Sequence, residues 1–108
     1  MKNLGPQAPV VENELGGKQS KLDYAFHLTD PLANFALAEV FAIGAAKYAA
    51  DNWRLIPVEE HLNHLLTHIN AHMAGDTQDD HLGHALCRAH MALAKHLRPE
   101  FLGKAAKK

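Results

Sequence analysis

Residues 59–84 read E-E-H-L-N-H-L-L-T-H-I-N-A-H-M-A-G-D-T-Q-D-D-H-L-G-H, and the spacing inside this stretch decides the fold. Six of the nine histidines of the chain fall within it. At about 100° per residue, a helix over residues 58–74 gathers Leu62, Leu65, Leu66, Ile69 and Met73 into one apolar stripe. His61, His64, His68 and His72 form a second stripe along its edge. Asn63, Thr67 and Asn70 take much of the remaining surface. Imidazoles at three- and four-residue spacing beside a packing face can converge on an ion or ligand held between helices.

Working downstream, Gly75 ends this helix and D-T-Q-D (76–79) forms a tight link. A further helix is expected from Asp80 to Leu97, stopping before Pro99. Leu82, Leu86, Leu93 and Leu97 mark its core face, with Asp80, His84, Cys87 and Met91 on the neighbouring stripe. So short a link makes the two helices antiparallel neighbours. Asp76, Asp79 and Asp80 then sit at the closed end of the hairpin beside His72 and His68, with His84 one turn into the second helix. Carboxylates and imidazoles from facing helices suit a divalent cation.

Upstream, Thr29-Asp30-Pro31 is a helix start, with Asp30 as cap and Pro31 at the first helical position. The helix should run to about Ala49, with Leu32, Phe35, Ala42, Ile43 and Ala46 on one side and Leu37, Phe41 and Tyr48 on the other. Two apolar sides imply a sandwiched helix, and the second side is where self-association is expected. Glu39 falls among the first set, where an unpaired carboxylate would be expensive, so it is a candidate metal ligand or water-orienting base. K-Y-A-A-D-N-W-R-L-I-P (47–57) is a connection ending at Pro57. Its Lys47, Asn52, Trp53 and Arg54 offer a cation, an amide, an indole and a guanidinium, which together suit a nucleotide. A core position for Trp53 and a solvated one for Lys47 is the alternative.

Residues 1–17, with Gly5, Pro6, Pro9, Gly16 and Gly17, show no sustained period and are expected to be a flexible arm or one that docks on another subunit. Residues 18–27 read either as an extended lead-in or as a short turn of helix. A single helical domain over 18–102 and a basic tail over 103–108 complete the expected layout. The hydrophobic fraction of 47%, rich in alanine and leucine, favours helices over sheet. A net charge of −1 with neutral histidines supplies no global basic field for a nucleic-acid polymer. With Cys87 as the lone cysteine an intrachain disulfide is excluded, and no apolar run of about 18 residues is present for a membrane span. A soluble cytoplasmic protein is expected.

G-A-A-K-Y-A-A-D-N-W-R (44–54), L-L-T-H-I (65–69) and G-D-T-Q-D-D-H-L-G-H-A (75–85), preceded by K-L-D (21–23), resemble a family found largely in phage genomes, the dATP/dGTP diphosphohydrolase N-terminal domain family. The resemblance covers residues 18–97. Thr67 stands where that family usually has arginine, and Asp76 where it usually has glutamate; the segment between Asp79 and His81 is shorter than in many members. The implied activity is cleavage of a purine deoxynucleoside triphosphate to monophosphate and pyrophosphate, in the style of all-α MazG-like enzymes that hold Mg2+ or Mn2+ on acidic helices. On that reading Glu39, Asp76 and Asp79 are catalytic, and Glu39, His68, Asp76, Asp79, Asp80 and His84 surround the divalent cation. Lys21, Lys47, Tyr48, Asn52, Trp53 and Arg54 contact the substrate.

The expected fold is all-α, a compact core of three or four helices completed by homo-oligomerisation into a dimer or tetramer. The expected function is metal-dependent nucleotide pyrophosphohydrolysis. The alternatives are a non-catalytic helical module that binds nucleotide or protein, and a histidine-rich metal-binding helical protein.

Overall fold

In the computed structural model, which describes residues 1–106, three helices carry the chain from Pro31 onward: α1 (Pro31–Lys47), α2 (Val58–Met73) and α3 (His81–Leu97). The fold is all-α, as expected, and the chain divides into two compact units, residues 1–30 and the helical unit from Pro31. None of the described helices is long and apolar enough to cross a membrane.

The N-terminal unit holds a two-stranded antiparallel hairpin, β1 (Val10–Glu12) and β2 (Lys18–Ser20), with Val11 opposite Gln19. Asn13 makes the turn: its Oδ1 accepts from the backbone N–H of Leu15 and of Gly17, both at 2.9 Å. Gly16 supplies the left-handed position, at φ +86°. Three-residue strands give too short a run for a period to show, which is why residues 1–17 read as an arm. The division between units also falls at Asp30/Pro31, not at residue 17. Within this unit Asn3 Nδ2 donates to Asp23 at 2.7 Å, the Lys2 backbone N–H donates to the Tyr24 hydroxyl at 2.8 Å, and Phe26–Leu28 form one 3-10 turn.

In the helical unit α3 is central, packing against α2 and α1. The α2–α3 pair is antiparallel, since His68 meets His81 near the link while His61 meets Arg88 two turns away. A Schellman motif closes α2: the Asp76 N–H donates to the Ala71 carbonyl and the Gly75 N–H to that of His72, with Gly75 at φ +87°. Asp80 opens α3 as N-cap, its side chain accepting from the Gly83 N–H at 3.0 Å. A Cβ at position 83 would collide with that carboxylate, so Gly83 makes room for the cap.

The helix boundaries agree with the sequence reading to within two residues, but the inward faces do not. On α3 the buried residues are Gly83, Ala85, Cys87 and Ala92, with His84, Arg88 and Met91 half-buried, while Leu82, Leu86, Leu93 and Leu97 are exposed. On α2 the inward side carries His61, Leu65, His68 and Ile69, and Leu62, Leu66 and Met73 face out. On α1, Leu37, Val40, Phe41 and Gly44 are half-buried, whereas Leu32, Phe35 and Ile43 are exposed. Of the side of α1 expected to serve self-association, Leu37 and Phe41 are half-buried within the chain and Tyr48 is exposed. Small residues on α3 let the helices approach closely, and imidazoles fill the seam that leucines were expected to fill.

The 47–57 connection contains a 3-10 turn at Asn52–Leu55, introduced by Asp51 at φ +67°. Lys95 Nζ donates to the Arg54 carbonyl at 2.8 Å and ties this turn to α3. Of the expected 103–108 tail, Gly103–Ala106 form a further 3-10 turn, and Lys107 and Lys108 lie outside the described residues. Asp51 fastens that turn, accepting from the Lys104 N–H and from Arg54 Nε, both at 2.9 Å. These bonds, the Lys104 N–H first, hold its carboxyl below the usual aspartate range.

Candidate functional site

The closed end of the α2–α3 hairpin joins side chains from both helices and the link. His81 Nε2 lies 2.6 Å from Asp76 Oδ2, and His81 Nδ1 lies 2.9 Å from His68 Nδ1. With both rings neutral the chain has one polarity: His68 donates to His81, and His81 donates to Asp76. The His68 ring also stacks on His84, centroids 5.0 Å apart and planes at 17°. His84 Nε2 in turn stands 3.4 Å from Asp79 Oδ1.

Asp76 additionally accepts from the Gln78 side-chain and backbone N–H groups at 2.6 and 3.1 Å. The His81 bond, followed by these two, lowers its pKa to about 2. Asp79 is likewise held low, chiefly by the Asp80 N–H that donates to it. Burial lowers the pKa of His68, and the neighbouring His84 and His81 add to the shift. The tip thus joins two ready carboxylates to imidazole nitrogens, one of them kept neutral.

Beside it, a cavity of about 640 Å³ opens between the C-terminal half of α1, the 47–53 segment and α3. Its lining includes Lys47, Tyr48, Asn52, Trp53, His84, Cys87, Arg88 and Met91. His84 belongs to both features. Trp53 is held edge-on to Phe41 and to His61, centroids 5.8 and 6.4 Å away. Beneath it His61 is fully buried: its Nε2–H donates to the Trp53 carbonyl at 2.9 Å, and its Nδ1 accepts from Arg88 Nη1 at 3.0 Å. Two bonds of that polarity require the neutral ring, and burial pushes its pKa down. Arg88 is therefore anchored at one nitrogen while lining the cavity. The thiol of Cys87 is raised by burial and behaves as a small apolar side chain.

Several expected site residues meet here. Asp76, Asp79, His68 and His84 share the hairpin tip, and Lys47, Tyr48, Asn52 and Trp53 share the cavity. Others do not. Glu39 is exposed on the α1 face turned from α3 and is absent from the cavity lining, so the reasoning that made it a buried carboxylate in need of a cation does not hold. The Asp80 side chain is occupied as the α3 cap. Arg54 lies outside the lining, its guanidinium between the Trp53 and Phe101 rings at 4.1 and 4.7 Å, with one buried nitrogen, Nη1, lacking a partner among the described residues. Lys21 belongs to the N-terminal unit, 3.9 Å from Asp23. Thr67, at the position where arginine was expected, is exposed and bonds back to the Asn63 carbonyl. Among the described residues no three His, Cys, Asp or Glu side chains are grouped to hold a metal ion.

Sequence reasoning missed His81, Arg88 and the burial of His61. His81 begins the H-L-G-H run, and its place directly after the Asp80 cap aims it back at the link. Arg88 follows His84 by four residues, one turn along the same side of α3, which was the available signal.

No curated protein and no solved structure matches the chain. Residues 13–104, which include both the hairpin tip and the cavity, match the family described as dATP/dGTP diphosphohydrolase, N-terminal, and the chain belongs to that family.

Proposed function

We propose that the protein is a metal-dependent pyrophosphohydrolase of purine deoxynucleoside triphosphates. The observation that supports it is one cavity carrying an indole, an amide and two cations, whose lining residue His84 lies 3.4 Å from the Asp79 carboxylate of the hairpin tip. Its volume is within the roughly 300–1,000 Å³ of small-molecule sites. The base would lie against Trp53 with Asn52 at its edge, and the phosphates would meet Lys47 and Arg88. Arg88 supplies the guanidinium that position 67 lacks. In the reaction a water attacks the α-phosphorus, the α–β anhydride bond breaks, and pyrophosphate leaves with the monophosphate as the other product. Such a reaction belongs in the cytoplasm, where triphosphates are made and used.

The donor set at the tip fits a divalent cation in part. Asp76 and Asp79 are ionised at neutral pH and offer hard oxygens, while His84 and His68 add nitrogens that suit manganese better than magnesium. Phosphate oxygens and water would complete the coordination. When bound, the cation would neutralise phosphate charge and acidify a water. The chain's own part is to hold Asp76 by His81, to hold His84 beside Asp79, and to screen the site with the His68–His84 stack.

A second reading, nucleotide binding without hydrolysis, is favoured by the absence of a three-ligand group among the described residues. One experiment separates them. The full chain is incubated with each triphosphate and millimolar manganese or magnesium, and products are resolved by chromatography. Monophosphate plus pyrophosphate from dATP or dGTP is the expected result. Asp79→Asn should abolish it together with the manganese-induced rise in melting temperature. Trp53→Ala should weaken nucleotide binding about tenfold, as loss of one base–indole stack does. Binding without product leaves the module, and neither binding nor product removes both readings.

A further inference from the structure

We infer that His61 is a positioning residue for triphosphate binding, holding the Arg88 guanidinium on the cavity wall while leaving its charge to the phosphates. The inference rests on the nucleotide reading of the cavity and deepens it. His61 is fully buried and lies outside the cavity lining, so it acts only through its neighbours. Two of these, Trp53 and Arg88, do line the cavity, and His61 is bonded to both.

The partners fix the state of the ring. A carbonyl only accepts, so Nε2 carries the proton where it meets Trp53. A guanidinium only donates, so Nδ1 offers its lone pair to Arg88. The Trp53 carbonyl already accepts from the Ile56 N–H at 3.2 Å, and it does not depend on the imidazole for a partner. Its bond to Nε2 instead orients the ring and keeps the Nδ1 lone pair facing Arg88, as outer hydrogen bonds orient the histidines of metal sites.

The chemistry of the acceptor points to an anion. Among the described residues Arg88 forms no ion pair with a carboxylate. A carboxylate in place of the imidazole would grip the guanidinium more strongly but would cancel its charge. A neutral imidazole grips it and leaves the charge in place. Burial first, with the charges of Arg88 and Lys95 behind it, holds the ring neutral. One guanidinium donor goes to His61, and the others remain for phosphate oxygens, which Arg binds in a forked pair of bonds. Fixing this long side chain in advance also removes rotamer freedom that binding would otherwise have to remove.

The test is the affinity of the full chain for the α,β-methylene analogue of dGTP, which is not cleaved, by calorimetry with manganese present. His61→Gln keeps a donor for the Trp53 carbonyl but leaves the Nδ1 position empty, and its dissociation constant should rise about tenfold. His61→Asn places an oxygen where Nδ1 was and should lose clearly less. In an Arg88→Met background His61→Gln should add no further loss, because the residue acts through Arg88. Unchanged affinity in a His61→Gln protein of native helicity overturns the inference. So does an equal loss in His61→Asn, or losses that multiply in the double variant, since either marks a merely structural role. Should His61→Gln not fold, nitrogen NMR of the wild-type ring is read instead. The Nδ1 resonance should move when the analogue binds, and an unmoved one overturns the inference. Failure of the wild type to bind removes the nucleotide reading and this inference together, whereas binding that ignores His61 removes this inference alone.

Discussion

His61 shows how one residue can be read correctly for its helix and incorrectly for its place. Its place three residues before His64 and seven before His68 is plain, but nothing in the spacing says which imidazole is sealed between Trp53 and Arg88. Sealing has a consequence in pH. The folded pKa lies below 6.5 because burial disfavours the charged ring, so between the two values the unfolded chain binds more protons than the folded one. Stability is therefore full above about pH 6.5 and declines as pH falls through it. The melting temperature should drop between about pH 7.5 and 5.5, and less steeply in His61→Gln. Equal slopes in the two proteins would mean that other histidines carry the effect. Glu39 is the opposite case. A carboxylate amid apolar neighbours looked buried, yet a helix apolar almost all round has to leave some of its surface outside, and Glu39 lies there.

At the scale of elements, the ends of α2 and α3 were legible because each is written in local chemistry: Pro57 before α2, Gly75 after it, Asp80 before α3 and Pro99 beyond it. Gly75 can be tested alone, since a Cβ there meets nothing within 4 Å and only its φ of +87° is at stake. Gly75→Ala should cost about 1 kcal/mol and lower the melting temperature by about 4–8 °C. Gly75→Asn should cost less, because asparagine visits the left-handed region more readily. Equal losses would argue against a purely backbone origin. Which stripe of each helix faces inward was not legible in the same way. The apolar stripes of α2 and α3 flank the stripes of histidine and small residues, and periodicity cannot say which of two adjoining stripes turns inward.

Across the whole molecule, the sequence disclosed the fold class, the family and the coming together of the hairpin-tip residues with one another and of Lys47, Asn52 and Trp53 around one cavity. It did not disclose the hairpin of the N-terminal unit, whose strands are three residues each, or the turn fastened by Asp51 to Lys104, which links positions 53 residues apart. The α2–α3 pair has an order built into its separations. His68 and His81 are 13 residues apart, His61 and Arg88 are 27, and Arg54 and Lys95 are 41. Loop closure grows with the logarithm of length, so the last pairing costs about 1 kcal/mol more than the first if formed alone. The hairpin should then zip from its tip toward the 51–55 turn, and the wall of the cavity around Trp53 should be the last part to set. Folding rates should respond to substitutions at Ala85 more than at Trp53, which chiefly governs unfolding. Equal sensitivity of the folding rate at both positions would show that the chain closes everywhere at once.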